Sequence, residues 1–281
     1  MIEIHELSVR FGARDVLRNV TLTIPCGQRA ALLGANGAGK TTLLRALLAH
    51  LPFSGSAAIG GHDVREDGVR ARALVGYVPQ TPAFPPLLTA AEVVAYFQEI
   101  RAVVPDPLPL LTEVGLDAEA GKPVGALSGG MARRLALAVA QIGNPPVLLL
   151  DEPGSHLDAG GEILLRSWLD EAVPRGRTVL VATHHLNGLQ GLVDRMVLLE
   201  DGRVRADAGV DAIRAARWLE VSTPGPMPAL PDGVSVLPAG NGVLHLRVRD
   251  GSLPALLEVL GARPVDIHEP ALVDVLREVR G

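Results

Sequence analysis

Apolar and polar positions alternate along the start of the chain. From Ile2 to Ile24 the period is two residues, which predicts two or three strands with one face buried, and Gly12 marks a turn between them. A short apolar strand, Ala30 to Leu33, runs into a glycine-rich turn, and the spacing from Thr41 to His50 changes to that of a helix. Short strands and turns return between Ser56 and Val78. Thr89 and Glu92 have the spacing of a capping box, so a helix is expected to start there and reach about Arg101. Pro105, Pro107 and Pro109 form a link to a further helical stretch ending near Gly115. Ser128 can cap a long helix through Ile142, which Pro145 and Pro146 stop. Val147 to Leu150 is then apolar at every position, the pattern of a strand buried on both faces of a parallel sheet. Helix, strand (Thr178 to Ala182), helix and strand (Met196 to Leu199) follow, so the first part of the chain predicts an α/β sheet.

The composition shifts near residue 216, and Pro224 to Pro228 is rich in proline and glycine. Beyond it, strands are expected at Gly233 to Leu237, Val243 to Val248 and Pro264 to His268, with helices at Ser252 to Leu260 and Ala271 to Val279. The expected organisation is therefore a domain over 1–215 and a small α+β accessory domain over 216–281, large enough to fold on its own.

Composition bounds the function. Of 281 residues 48% are hydrophobic but only 3% aromatic, so Leu, Val and Ala must fill the core. The net charge of −5 argues against a general nucleic-acid binder, which carries a basic face. A single cysteine, Cys26, excludes an intramolecular disulfide framework and a cysteine-based zinc site. The N-terminal residues alternate as a strand and lack the pattern of a signal peptide, and no uncharged apolar run reaches the roughly 18 residues a membrane helix needs. A soluble chain in a reducing compartment is expected. Lys40 and Lys122 are the only lysines among 26 basic residues, which draws attention to position 40.

Gly34-Ala35-Asn36-Gly37-Ala38-Gly39-Lys40-Thr41 matches the phosphate-loop pattern GxxxxGK[ST], with Thr42 beside it. Glycines let the main chain wrap with its N–H groups turned inward, and the following helix presents its positive end to phosphates. Lys40 adds a point charge at the β- and γ-phosphates, and Thr41 offers a hydroxyl to Mg²⁺. The mundane alternative, a glycine-rich turn before a helix, does not require the lysine. Asp151 and Glu152 emerge at the end of the apolar strand Val147 to Leu150, where open α/β sheets bind ligands. Asp151 suits Mg²⁺, and Glu152 suits the orientation and polarisation of an attacking water.

Leu127-Ser128-Gly129-Gly130-Met131, about 20 residues before Asp151, resembles the LSGGQ motif of ABC ATPases. The resemblance covers roughly residues 1 to 215. It implies a P-loop NTPase of the ABC type: a mixed-sheet core, an antiparallel β subdomain and a helical subdomain, here followed by the small C-terminal α+β domain. It implies that Ser128, Gly129 and Gly130 grip the γ-phosphate of a nucleotide held by another subunit. Gln80 resembles the Q-loop glutamine that contacts Mg²⁺ and couples to a membrane subunit. Asp158 resembles the D-loop aspartate, and His184 the switch histidine at the γ-phosphate. Phe11 stands where the family places a tyrosine to stack on adenine. Departures are Met131 for Gln, Ala132 for a basic residue, His156 for a small residue and His185 for Asp.

What the resemblance implies for function is an ATPase subunit with ATP and Mg²⁺ as cofactors. Lys40, Gln80, Glu152 and His184 carry the chemistry, and Thr41, Gln80 and Asp151 hold the metal. Two copies close head to tail around two ATP. The partner is a separate polytopic membrane subunit, so the chain would sit in the cytoplasm, peripheral on the membrane's cytoplasmic face, touching neither cargo nor nucleic acid. The proline-rich segment from Gln80 to Val93 is the expected moving surface, with Phe84 either exposed for docking or part of the core. The ending from Val265 to Leu276 resembles the tail of drug-, polysaccharide- and copper-maturation-type exporters, with Ala271 and Val273 departing from it. The competing reading is an ABC ATPase without a membrane partner, acting in translation or DNA repair. Such proteins generally carry a second ATPase domain, a coiled coil or a zinc insert, and none is evident in this sequence.

Overall fold

The computed structural model describes residues 1–155, 157, 159–184, 191–215, 218–237, 243–249, 251–268 and 272–278. The chain divides into two compact units, Met1–Arg205 and Ala206–Gly281. The division falls ahead of the compositional change near residue 216.

In the first unit, β1 (Ile2–Phe11) and β2 (Arg14–Ile24) form a hairpin whose turn carries Gly12 at φ 59°. Their alternation buries Ile2, Ile4, Leu7 and Val9 against Leu17, Val20, Leu22 and Ile24. Then come β3 (Arg29–Leu33), α1 (Lys40–Leu47), β4 (Ser54–Ile59), β5 (His62–Asp63), α2 (Gly68–Ala73) and β6 (Val75–Val78). The antiparallel sheet has the order β2-β1-β4-β5. Next are α3 (Ala90–Ile100), α4 (Pro107–Glu113), α5 (Gly129–Gln141), β7 (Val147–Asp151), α6 (Ala159–Ala172), β8 (Thr178–Thr183), β9 (Arg195–Glu200) and β10 (Arg203–Gly209), the last of which runs across the division at residue 205. The second sheet runs β10-β9-β3-β8-β7-β6, with β9, β3, β8, β7 and β6 mutually parallel. Every residue of β7 and β8 is buried, as expected for central strands covered on both faces.

Two apolar clusters sandwich this sheet. One joins it to α1 and the antiparallel sheet through Leu43, Leu44, Leu47, Leu149 and Leu180. The other joins its opposite face to α3, α5 and α6 through Val94, Leu137, Leu148, Leu150 and Trp168. The capping box forms with both bonds: the Glu92 N–H donates to Thr89 Oγ1 at 3.2 Å, and the Thr89 N–H to Glu92 Oε2 at 2.8 Å. One expectation needs correction, and one alternative left open is answered. The region from Ser56 to Val78 contains a short helix, α2, as well as strands and turns. Phe84 is half-buried, its ring edge-on to Phe97 at 6.3 Å, while Leu87 is 88% exposed. The helix expected between β8 and β9 falls largely on 185–190, outside the described residues.

In the second unit, α7 (Val210–Ala215) precedes β11 (Trp218–Pro224), β12 (Val234–Leu237), β13 (Val243–Arg249), α8 (Leu253–Leu260), β14 (Asp266–His268) and α9 (Leu272–Glu278). The sheet order is β12-β13-β11-β14, all antiparallel. Val221, Leu246 and Val248 on one face pack with Leu256 and Leu260 of α8.

Candidate functional site

The parallel strands end on one edge of the sheet, and the sequence places its chemistry there. The chain leaves β3 at Gly34, where a Cβ would lie 2.4 Å from the Leu199 carbonyl oxygen of β9, so only glycine can pass. Ala35, Asn36 and Gly37 are exposed, and the Ala38 N–H closes the turn on the Ala35 carbonyl at 3.1 Å. Gly39, at φ 108°, is the N-cap of α1. Lys40 follows with only 6% exposure. Its Nζ donates to the carbonyl oxygens of Gly34 (2.7 Å) and Ala35 (3.3 Å) and lies 3.5 Å from Glu152 Oε1. A desolvated ammonium is thus held at the mouth of the loop. Thr41 and Thr42 are half-buried in the first turn of α1, and Thr41 Oγ1 donates to Asp151 Oδ1 at 3.1 Å.

Asp151 ends β7 and is fully buried. Burial raises its pKa, and the adjacent Glu152 charge does the same, against the Thr41 hydrogen bond and the charges of Lys40 and Arg45. Its Oδ2 has no hydrogen-bond partner among the described residues. A buried, unpaired carboxylate oxygen beside a threonine hydroxyl is a hard-oxygen donor set that fits Mg²⁺. Tyr77 on the neighbouring strand β6 has its phenol pushed up to about 12, first by burial and then by the Asp151 charge.

Glu152 turns away from the strand with φ 48°, a left-handed conformation for a non-glycine residue. Its N–H donates to the Ala182 carbonyl at 2.8 Å, and it is 5% exposed. The carboxylate is held from two sides: Thr183 Oγ1 donates to Oε2 at 3.1 Å, and His184 Nδ1 lies 2.8 Å from Oε1. Lys40, Thr41, Asp151, Glu152 and His184 therefore converge within one hydrogen-bonded cluster.

The other expected residues lie around it. Gln80 is exposed in the loop leaving β6, whose Val78 pairs with Leu150 of β7, so the loop starts beside Asp151. Phe11 ends β1 with 53% exposure. Ser128 caps α5, accepting the Met131 N–H at 3.2 Å, with Ser128 and Gly129 exposed and Gly130 half-buried. Among the described residues, no hydrogen bond joins Ser128, Gly129 or Gly130 to the Lys40–Glu152 cluster. Asp158, His156 and His185 lie outside the described residues.

Two residues of the cluster escaped motif reading. Thr183 is buried at the end of β8, and its position next to His184 was the available signal. Arg133 is 3% exposed and donates to the Glu152 carbonyl at 3.2 Å. It shares the stripe of α5 that holds Ala136, Leu137 and Ala140, and a charge on an apolar stripe was the signal there.

The family model described as "ABC transporter" matches residues 17–155. The chain is 37% identical over 222 residues to the "Nod factor export ATP-binding protein I" of Burkholderia orbicola (strain AU 1054), covering 75% of this chain and 72% of that protein. Among solved structures it is similar to an ATP-binding subunit of an ABC transporter, with TM-score 0.71 and 29% identity over 76% of this chain and 91% of that one. It is also similar to a dimeric ATP-binding cassette in a post-hydrolysis state bound to ADP and Pi, with TM-score 0.66 and 27% identity over 75% of this chain and 99% of that one.

Proposed function

The chain belongs to the ATP-binding proteins of ABC transporters, and we propose that Lys40, Thr41, Asp151, Glu152 and His184 are the residues with which it binds and hydrolyses ATP for a separate membrane-spanning subunit. Its activity is that of the family: it is an ATPase, and it serves as the ATP-binding subunit of an ABC transporter. The observation that carries the assignment of residues is the pairing of a buried lysine with a glutamate that a threonine and a histidine also hold.

Lys40, fixed by two loop carbonyls, offsets the negative charge of the β- and γ-phosphates at the mouth of the loop. The Ala35–Gly39 segment and the start of α1 supply N–H donors to the same phosphates. Glu152 orients the attacking water and accepts its proton, and His184 contacts the γ-phosphate. Mg²⁺, held by Thr41, Asp151 and Gln80, neutralises phosphate charge when bound. Phe11 offers a ring for the adenine. Ser128 and Gly129 are exposed and, among the described residues, make no hydrogen bond to this cluster, which supports a head-to-tail homodimer in which Ser128, Gly129 and Gly130 complete the site of a second copy. Asp158, outside the described residues, is proposed to act there as the D-loop aspartate.

No helix among the described residues is long and apolar enough to cross a membrane. In the proposed reading, cargo passes through the partner protein. The site of coupling is the groove of about 370 Å³ lined by Tyr77, Pro79, Pro82, Phe84, Phe97 and Arg101, beside Gln80. Peripheral attachment to the cytoplasmic face of the membrane follows from that docking. Export is the direction proposed, on the names of the relatives, and the C-terminal unit is an accessory domain to the ATPase. The test is purification of tagged Glu152→Gln chain from native membranes with Mg-ATP. A stable dimer with little turnover and a co-purifying polytopic membrane protein, lost on Ala83→Asp at the exposed rim of that groove, is expected. Normal turnover would remove Glu152 from its role, and recovery of ribosomes or DNA-repair proteins alone would overturn the transport reading.

A further inference from the structure

Arg133 is a buried guanidinium without a hydrogen-bonded carboxylate partner among the described residues. Its donors go to three main-chain carbonyls on two segments: Nη1 to Pro79 at 2.5 Å, Nη2 to Glu152 at 3.2 Å and Nε to Ser155 at 3.3 Å. Pro79 directly precedes Gln80, Glu152 is the proposed water-positioning residue, and Ser155 closes the turn after it through its own N–H on the Glu152 carbonyl at 3.1 Å. Burial pulls the pKa of the guanidinium down, while the nearby Asp151 and Glu152 charges push it up. An aliphatic side chain would fill this place on α5 but leave carbonyl groups of both segments without that donor. The planar fork of arginine reaches several acceptors at once, which a lysine cannot.

We propose that Arg133 is a positioning residue for ATP hydrolysis, clamping the start of the Gln80 loop and the Glu152–Ser155 turn to the helix that Ser128 caps. The inference rests on the proposed role of Glu152. A left-handed residue keeps its conformation only where its surroundings impose it. The Glu152 N–H is fixed by Ala182 and its carbonyl by Arg133, so the direction of its side chain is set from both ends. Because the same guanidinium holds Pro79, a displacement of the Gln80 loop is carried directly to the Glu152 main chain. The substrate-binding loop of Lys40 receives no bond from Arg133 among the described residues, so turnover, and not ATP affinity, is the quantity that depends on it.

The test compares Arg133→Met and Arg133→Lys with the parent in three measurements: kcat, equilibrium ATP affinity, and amide exchange of the nucleotide-free chain. For Arg133→Met, kcat is expected to fall roughly 10- to 100-fold, the scale of a small misplacement of a reacting group, with ATP affinity within about twofold. The amides of residues 80–81 and 154–155 are expected to exchange faster together, and Arg133→Lys to recover part of both effects. A kcat within about twofold of the parent in folded Arg133→Met, or faster exchange confined to α5, overturns the proposal. Should Arg133→Met not fold, Arg133→Lys decides: reduced kcat with both loops exchanging faster supports the clamp, and parent values overturn it. A parent chain without ATPase activity would instead refute the assigned function, while the exchange comparison would still decide whether the two loops are clamped.

Discussion

Thr183→Val removes one hydroxyl from the site at almost constant volume. Thr183 is 5% exposed and ends β8, where valine is an equally good strand former, so the backbone register with Leu33 is expected to survive. What disappears, among the described residues, is the 3.1 Å hydrogen bond to Glu152 Oε2. A hydrogen bond to a charged group contributes about 1.5–3 kcal/mol. Oε1 keeps His184 and Lys40, so the carboxylate stays in the cluster but can rotate, and the lower half of that range applies. About 1.5–2 kcal/mol expressed in the transition state corresponds to roughly a 10- to 30-fold lower kcat. Lys40 and the phosphate loop are untouched, so ATP affinity should change little. Phosphate release at saturating ATP, with nucleotide binding measured in parallel, reads both quantities, and Thr183→Ser restores the hydroxyl as a control. If Thr183→Val turns over within twofold of the parent, Thr183 does not position Glu152 and the reasoning is wrong.

Two further expectations follow from the geometry. Gly34→Ala places a methyl 2.4 Å from the Leu199 carbonyl, so the loop or β9 must shift; ATP affinity measured at equilibrium should fall by about tenfold or more, and an unchanged affinity would refute the steric argument. His50 has its pKa lowered by burial and then by the charges of Arg72 and Arg45, so the unfolded chain takes up this proton first. The stability gained by keeping it neutral is complete above the ordinary value of about 6.5 and is lost as pH falls from there through the lower folded value. Urea midpoints measured from pH 7.5 to 5 should therefore decline less for His50→Gln than for the parent; parallel curves would count against it.

The features that were legible in the sequence are those that nearby residues settle among themselves. Thr89 and Glu92 need only each other and the first turn of α3, so four letters predict the capping box. The phosphate loop is likewise local, and the fully apolar run before Asp151 states that β7 is covered on both faces. Less legible are contacts that only the fold creates. Thr183 meets Glu152, and Arg133 meets Pro79, across chain separations that no spacing rule spans. β11 was hidden for another reason. Its alternation places Leu219 and Val221 on the packed face but Trp218 with Glu220 and Ser222, and the indole is covered by the Arg247 guanidinium, 4.2 Å from its ring centre. Hydrophobicity alone assigns that tryptophan to the wrong side. Phe84 shows the converse: a proline-rich neighbourhood suggests exposure, yet a second aromatic, Phe97, draws the ring inward.

The scarcity of lysine gives the chain an unusual reactivity toward acylating reagents. Apart from the terminal amine it offers two primary amines: Lys122, 39% exposed beside Glu119, and Lys40, 6% exposed and turned onto its own loop. Every other cationic side chain of its type is a guanidinium, inert to such chemistry. An amine label placed under mild conditions therefore lands at the terminal amine and at Lys122 in the helical region, while slow reaction at a third amine belongs to the phosphate loop. The peptide carrying Lys40 becomes a chemical clock for the openness of that loop, readable by mass without altering a single residue.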